Sequence, residues 1–187
     1  MLRSALVLFI IHYSLFILPG QEVSFYKENI TMKIDNDFFY VTGDYFLKTD
    51  KDSSIVLVYP FPVDSLYGEV DSVIIFNMNG NKPFEILSKK KNGVVFRADF
   101  GKEKELHILI AYRQKLLGNR AEYILESTAS WRKPLEQADY QLIVPADLEI
   151  TRFSIQPDTF MEAGEEMVYY WTKKNYMPRV NMIFEFR

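Results

Sequence analysis

Cysteine does not occur in the 187 residues of the chain. Its absence excludes disulfide staples, a thiol nucleophile, zinc sites built on thiolates and a lipid-modified amino terminus. Histidine is nearly as scarce, with only His12 and His107. A zinc centre needs at least three clustered nitrogen, sulfur or carboxylate donors, and no such spacing is present. The sequence also lacks a phosphate-cradling glycine loop, a Gly-x-Ser-x-Gly elbow and a metalloprotease helix motif. Basic charge is not in excess, since 22 Lys and Arg face 25 Asp and Glu for a formal net charge of −3. That balance argues against capture of nucleic acid or anionic lipid, which needs basic patches. The one cationic cluster, Lys89 to Lys91 before Asn92-Gly93, reads as a solvated hairpin tip. Helical stripes are missing too: Pro134 to Asp139 comes nearest and is too short to count.

What is present begins with an apolar start. Arg3 precedes Ala5 to Leu18, a core of about 14 residues, and "LPG" then breaks the pattern before Gln21. This is the layout of a secretory signal peptide over residues 1–20, too short for the roughly 20 residues of a membrane span. The alternative is an uncleaved anchor, which for a sandwich would be the only route by which a membrane is involved. Losing Arg3 with the leader takes the formal net charge from −3 to −4. An exported chain without disulfides tilts toward a bacterial periplasm or cell surface, or toward secretion. Residues 21–187 are large enough to bury a core unaided, and no linker, repeat or composition shift divides them, so one domain is expected. Asn29-Ile30-Thr31 is a formal glycosylation acceptor, relevant only in a eukaryotic source.

Period-two alternation dominates this domain. Ile30, Met32 and Ile34 share one face, as do Phe39, Val41, Tyr45 and Leu47, and likewise Leu106, Ile108, Ile110 and Tyr112. Tyr140, Leu142 and Val144 repeat the pattern, and so do Val180, Met182, Phe184 and Phe186 near the end. "SIVLVY" and "SVIIF" are unbroken apolar runs, which predicts strands covered on both faces. Asn79-Gly80 and Asn92-Gly93 can take positive φ cheaply and predict a three-stranded meander over residues 72–98. Pro60 and Pro62 cannot donate to a ladder, so they mark the end of a strand, with Phe61 and Val63 closing the core there. About ten short strands without helical crossovers predict an all-β antiparallel sandwich.

Chemistry-bearing groups are few. Leu106 and Ile108 turn His107 to the opposite face of its strand with Leu109, where no partner acid or nucleophile is evident. Asp35 and Asp37, and Glu162, Glu165 and Glu166, read as loop tips rather than a glycosidase pair. Counted from Asp35 as a calcium loop, the sixth and twelfth positions are Tyr40 and Phe46, which argues against that site. The aromatic content of 16% is high, and "YYWTKKNYMPR" concentrates it. If Met167, Tyr169 and Trp171 face the core, Val168 and Tyr170 face out, followed by Lys173, Lys174 and Tyr176. Tyr and Trp dominate protein interfaces, so Trp131, Tyr170, Lys173, Lys174 and Tyr176 are the candidate interaction residues. The bland reading is that these rings plug one end of the sandwich.

The succession "YFLKTDKDSSIVLVYPFPVDSLY", "VIIFNMNG" and "LHILIAYRQKL", within residues 37–128, resembles the first domain of inter-alpha-trypsin inhibitor heavy chains and uncharacterised exported bacterial β-sandwich proteins. The resemblance implies a sandwich and brings no catalytic residue. The expectation is therefore an exported, non-enzymatic binding or structural module of the cell envelope, without cofactor or metal. Its partner would be an envelope protein or polysaccharide. A small outer-membrane β-barrel is the rival, suggested by the alternating aromatics of "NMIFEF". A carbohydrate enzyme using paired carboxylates is a third reading.

Overall fold

A computed structural model describes residues 23–187. The expected leader, cleaved or retained, lies outside the described residues. Fourteen strands form three sheets among them, more than the ten expected because several are very short. The large sheet has eight strands. Its centre is β1 (Val23–Asp35), β2 (Phe38–Thr49), β8 (Glu105–Leu116) and β10 (Leu135–Pro145). β12 (Thr159–Ala163) and β13 (Glu166–Tyr176) extend one side of it, and β4 (Tyr67–Asn77) and β5 (Lys82–Pro83) the other. Two three-stranded sheets cover one face. One holds β3 (Ser54–Pro60), β6 (Ile86–Lys90) and β7 (Gly93–Asp99), and the other holds β9 (Arg120–Tyr123), β11 (Ile150–Phe153) and β14 (Met182–Phe186).

Alternation explains the layering. The inward residues of β1, β2, β8 and β10 (Met32, Phe39, Ile108 and Leu142 among them) are at most 1% exposed. They join one apolar core with Phe96 from the first small sheet and Phe184 from the second. Each such side chain contributes about 1.5–3 kcal/mol when fully buried. This is an all-β, sandwich-like fold. The large sheet ends at β12 and β5 without closing, so the molecule is not a barrel. Among the described residues no helix is long and apolar enough to cross a membrane.

Several expectations need correction. The sandwich is not purely antiparallel, because β1 and β10 run parallel, Ile30 standing opposite Tyr140. "SIVLVY" and "SVIIF" are not covered on both faces: Val56 is 46% and Ile74 56% exposed, since among the described residues no layer covers them on the outer side. The meander over 72–98 splits. β4 turns into β5 at Asn77–Lys82, but the chain then leaves for the other layer, where β6 and β7 form the Asn92-Gly93 hairpin against β3. Pro83 ends the pairing with β4, and Phe84 is the last residue to bond back to it, through the carbonyl of Ile75. Val180 is exposed because the final strand starts only at Met182. Pro134–Asp139 is mostly strand, and the short helical turn is 3-10, at Glu126–Trp131. The proline reading holds: Phe61 is buried, Val63 packs beside it, and β3 ends at Pro60.

Candidate functional site

The site is built by one irregularity in β1. Between Phe25 and Lys27 the register with β2 shifts, a bulge that reverses the alternation. Phe25 therefore faces the core, and three residues later Glu28 does so as well. Glu28 is 1% exposed. It stands opposite Tyr45 on β2 and opposite Ala138 on β10, whose small side chain leaves room above it.

Tyrosine hydroxyls surround this carboxyl. Tyr140 of β10 donates to Oε1 of Glu28 at 2.5 Å. Tyr45 shares hydrogen bonds with Tyr59 of β3 at 2.7 Å and with Tyr123 of β9 at 3.0 Å. The hydroxyls thus link strands of all three sheets to one acid. Burial pushes the Glu28 carboxyl up to about 7, against the pull of the Tyr140 and Tyr123 hydroxyls, which favour its charged form. Burial first, and the Glu28 charge second, hold the phenols of Tyr45, Tyr123 and Tyr140 well above their usual range. Among the described residues no lysine or arginine pairs with Glu28.

A cavity of about 70 Å³ opens beside the carboxyl where the two small sheets meet over the large one. Its aromatic wall is a run of four rings: Trp131 to Phe25 at 5.7 Å between centroids, Phe25 to Tyr45 at 6.0 Å, and Tyr45 to Tyr59 at 5.7 Å. The mouth lies between Val58–Pro60 and the segment from Ile124 to Trp131, which are half-exposed at several positions. Gly43 makes room for this wall. A β-carbon there would stand 2.5 Å from the Tyr45 hydroxyl.

The five candidate interaction residues do not form one surface. Trp131 lines the cavity. Tyr170 faces outward as expected, opposite Gln141, in a shallow groove of about 270 Å³ shared with Asn29 and Asp139. Lys173 is tied to Asp158 at 2.6 Å, and Lys174 is exposed opposite Gln137. Tyr176 stands opposite buried Leu135, after a positive φ at Asn175, and its phenol is raised by burial and by the charge of Glu28. Two of the five, Trp131 and Tyr176, thus belong to the neighbourhood of the buried acid. His107 also departs from expectation, since it does have an acid: its Nε2 lies 2.6 Å from Asp44, and its ring stacks on Phe46 at 4.4 Å. Among the described residues no cluster of three or more His, Asp or Glu side chains could hold a metal ion.

No protein-family model and no curated protein matches the sequence. Solved structures do share the fold. A candidate nutrient binding protein from Legionella pneumophila superposes with a TM-score of 0.72 at 10% identity, over 88% of this chain. An M1 zinc metallopeptidase from Deinococcus radiodurans superposes with a TM-score of 0.53 at 8% identity, over 87% of this chain. The chain spans 66% of the first and 42% of the second. At these identities the likeness is one of fold.

Proposed function

We propose that the chain is an exported, non-enzymatic binding module of the cell envelope, and that its ligand enters the cavity beside Glu28. The observation that carries this reading is a carboxyl 1% exposed, without a cationic partner among the described residues, facing a half-open cavity walled by aromatic rings. A buried acid costs several kcal/mol unless something compensates its charge, so a residue of this kind is poorly explained by packing alone. Apolar concavities with a few convergent polar groups and a shifted titration are the usual form of small-molecule sites. The nutrient-binding description of the Legionella pneumophila protein is compatible with this reading. Export rests on the sequence of residues 1–20.

The protein is to be purified from its native host and examined by native mass spectrometry. The chain should begin near Gln21 and carry a small molecule that is released unchanged on denaturation. The indole NMR signal of Trp131 should move when that molecule is added back. Recovery of a ligand-free chain whose Trp131 signal ignores every low-mass fraction of the host extract would overturn the binding reading. A ligand returned chemically altered would overturn the non-enzymatic one.

A further inference from the structure

The groups around the cavity narrow the chemistry of what it binds. The acidic side chain facing it is Glu28, and the other titratable groups come from every surrounding layer. Tyr45 on β2, Tyr59 on β3 and Tyr123 on β9 line it, while Tyr140 on β10 and Tyr176 on β13 stand near Glu28 itself. All five are phenols that stay neutral at ordinary pH, so none supplies a positive charge. The ring run from Trp131 through Phe25 and Tyr45 to Tyr59 presents π-systems spaced 5.7–6.0 Å apart. A cation within about 6 Å of such faces is attracted by the ring quadrupoles, and more strongly where water is excluded. An anion would meet the Glu28 carboxylate with no cation among the described residues to offset it. The volume of about 70 Å³ is far below the roughly 300–1,000 Å³ of a drug-sized site, so it fits a head group of a few heavy atoms.

We propose that the cavity receives the alkylammonium head of a small amine, with Glu28 as its counter-charge and Phe25, Tyr59 and Trp131 as its walls. The proposal rests on the cavity being the binding site. The remainder of the ligand leaves through the gap between Val58–Pro60 and the Ile124–Trp131 segment. Binding draws the carboxyl into its charged form, so the amine displaces a proton from Glu28. Affinity then rises with pH through the range in which the empty site ionises.

The probes are n-butylammonium, n-butanol and butyrate, followed by calorimetry and by the Trp131 indole signal at pH 8. Butylammonium should bind at least tenfold more tightly than butanol, and butyrate should not bind. Between pH 5.5 and 8 the affinity for butylammonium should rise about tenfold or more, while that for butanol stays level. Glu28→Gln should abolish both the preference and the pH dependence. If that variant does not fold, the ammonium–alcohol comparison and the pH series on the native chain decide the matter. Nα-acetyl-lysine amide, run alongside, tells a protein side chain from a free amine as the source of the ammonium. Butanol binding as tightly as butylammonium, or Glu28→Gln binding butylammonium unchanged, would overturn the cation assignment and leave the site standing. Failure of every probe to move the Trp131 signal would overturn both.

Discussion

Glu28 and Asn29 are consecutive on β1, and across the ladder they meet Tyr45 and Asp44 of β2. One residue along the strand separates two different solvents. On the outer face Asp44 is 35% exposed and holds His107, and the neighbouring charges are matched by acids or rings. Arg113 pairs with Asp71 at 2.7 Å and covers Phe38, and Lys48 lies over Tyr26. On the inner face the hydrogen-bond partners of Glu28 are phenols. The same carboxyl chemistry is therefore ordinary on one side of the sheet and charge-deficient on the other. The difference lies in what covers each face, since the two sites share a backbone.

The sharpest test of this contrast is titration. Glu28 is raised from an ordinary 4.5 to about 7 in the folded chain. Between those values the unfolded chain has released the proton and the folded chain still holds it. Stability contributed by this group is thus complete below about 4.5, declines as pH rises through the window, and levels off above about 7. The decline amounts to roughly 3 kcal/mol. Urea unfolding of the native chain and Glu28→Gln at several pH values should give a difference curve that falls by about that amount. A flat difference would remove the titration contrast that burial gives Glu28.

Gly43→Ala should come next, with a loss of about 1–3 kcal/mol from overpacking. The tip of the Tyr45 ring is held by two hydroxyl partners, so it cannot swing away without breaking the link between the sheets. Near-ultraviolet circular dichroism and thermal melting would register the change. The smallest effect belongs outside. Asp44→Asn should alter stability by less than about 1 kcal/mol in the same melts, because a half-exposed pair is weakly coupled. Equal costs for Gly43→Ala and Asp44→Asn would remove the distinction between the faces.

The sequence made the strands of the large sheet legible wherever alternation ran unbroken, as along Ile30–Ile34 and Leu106–Tyr112. It misled at "SIVLVY", where composition suggested two covered faces and Val56 turned out to face water. The acid was within reach: two residues before Ile30, on the same parity, stands Glu28. The alternation reads cleanly only from Ile30 onward, because the bulge after Phe25 breaks the parity that links the two inward residues. Trp131 stands out in the sequence by its ring alone, and its place at the cavity follows only from the fold. Tyr59 and Tyr123 carry no local signal, because what makes them part of the site is their approach across the layers.

The parallel pairing of β1 with β10 also has a kinetic meaning. The bond from Tyr140 to Glu28 joins residues 112 positions apart, across the middle of the large sheet. Contacts of that span give a high contact order, and closing such a loop costs entropy before any packing repays it. The central strand of the sheet is the first described one, yet its second edge must wait for β10, with the Glu28–Tyr140 contact spanning 112 positions. Refolding should therefore be slow, and Tyr140 can reach Glu28 only once β10 has paired with β1.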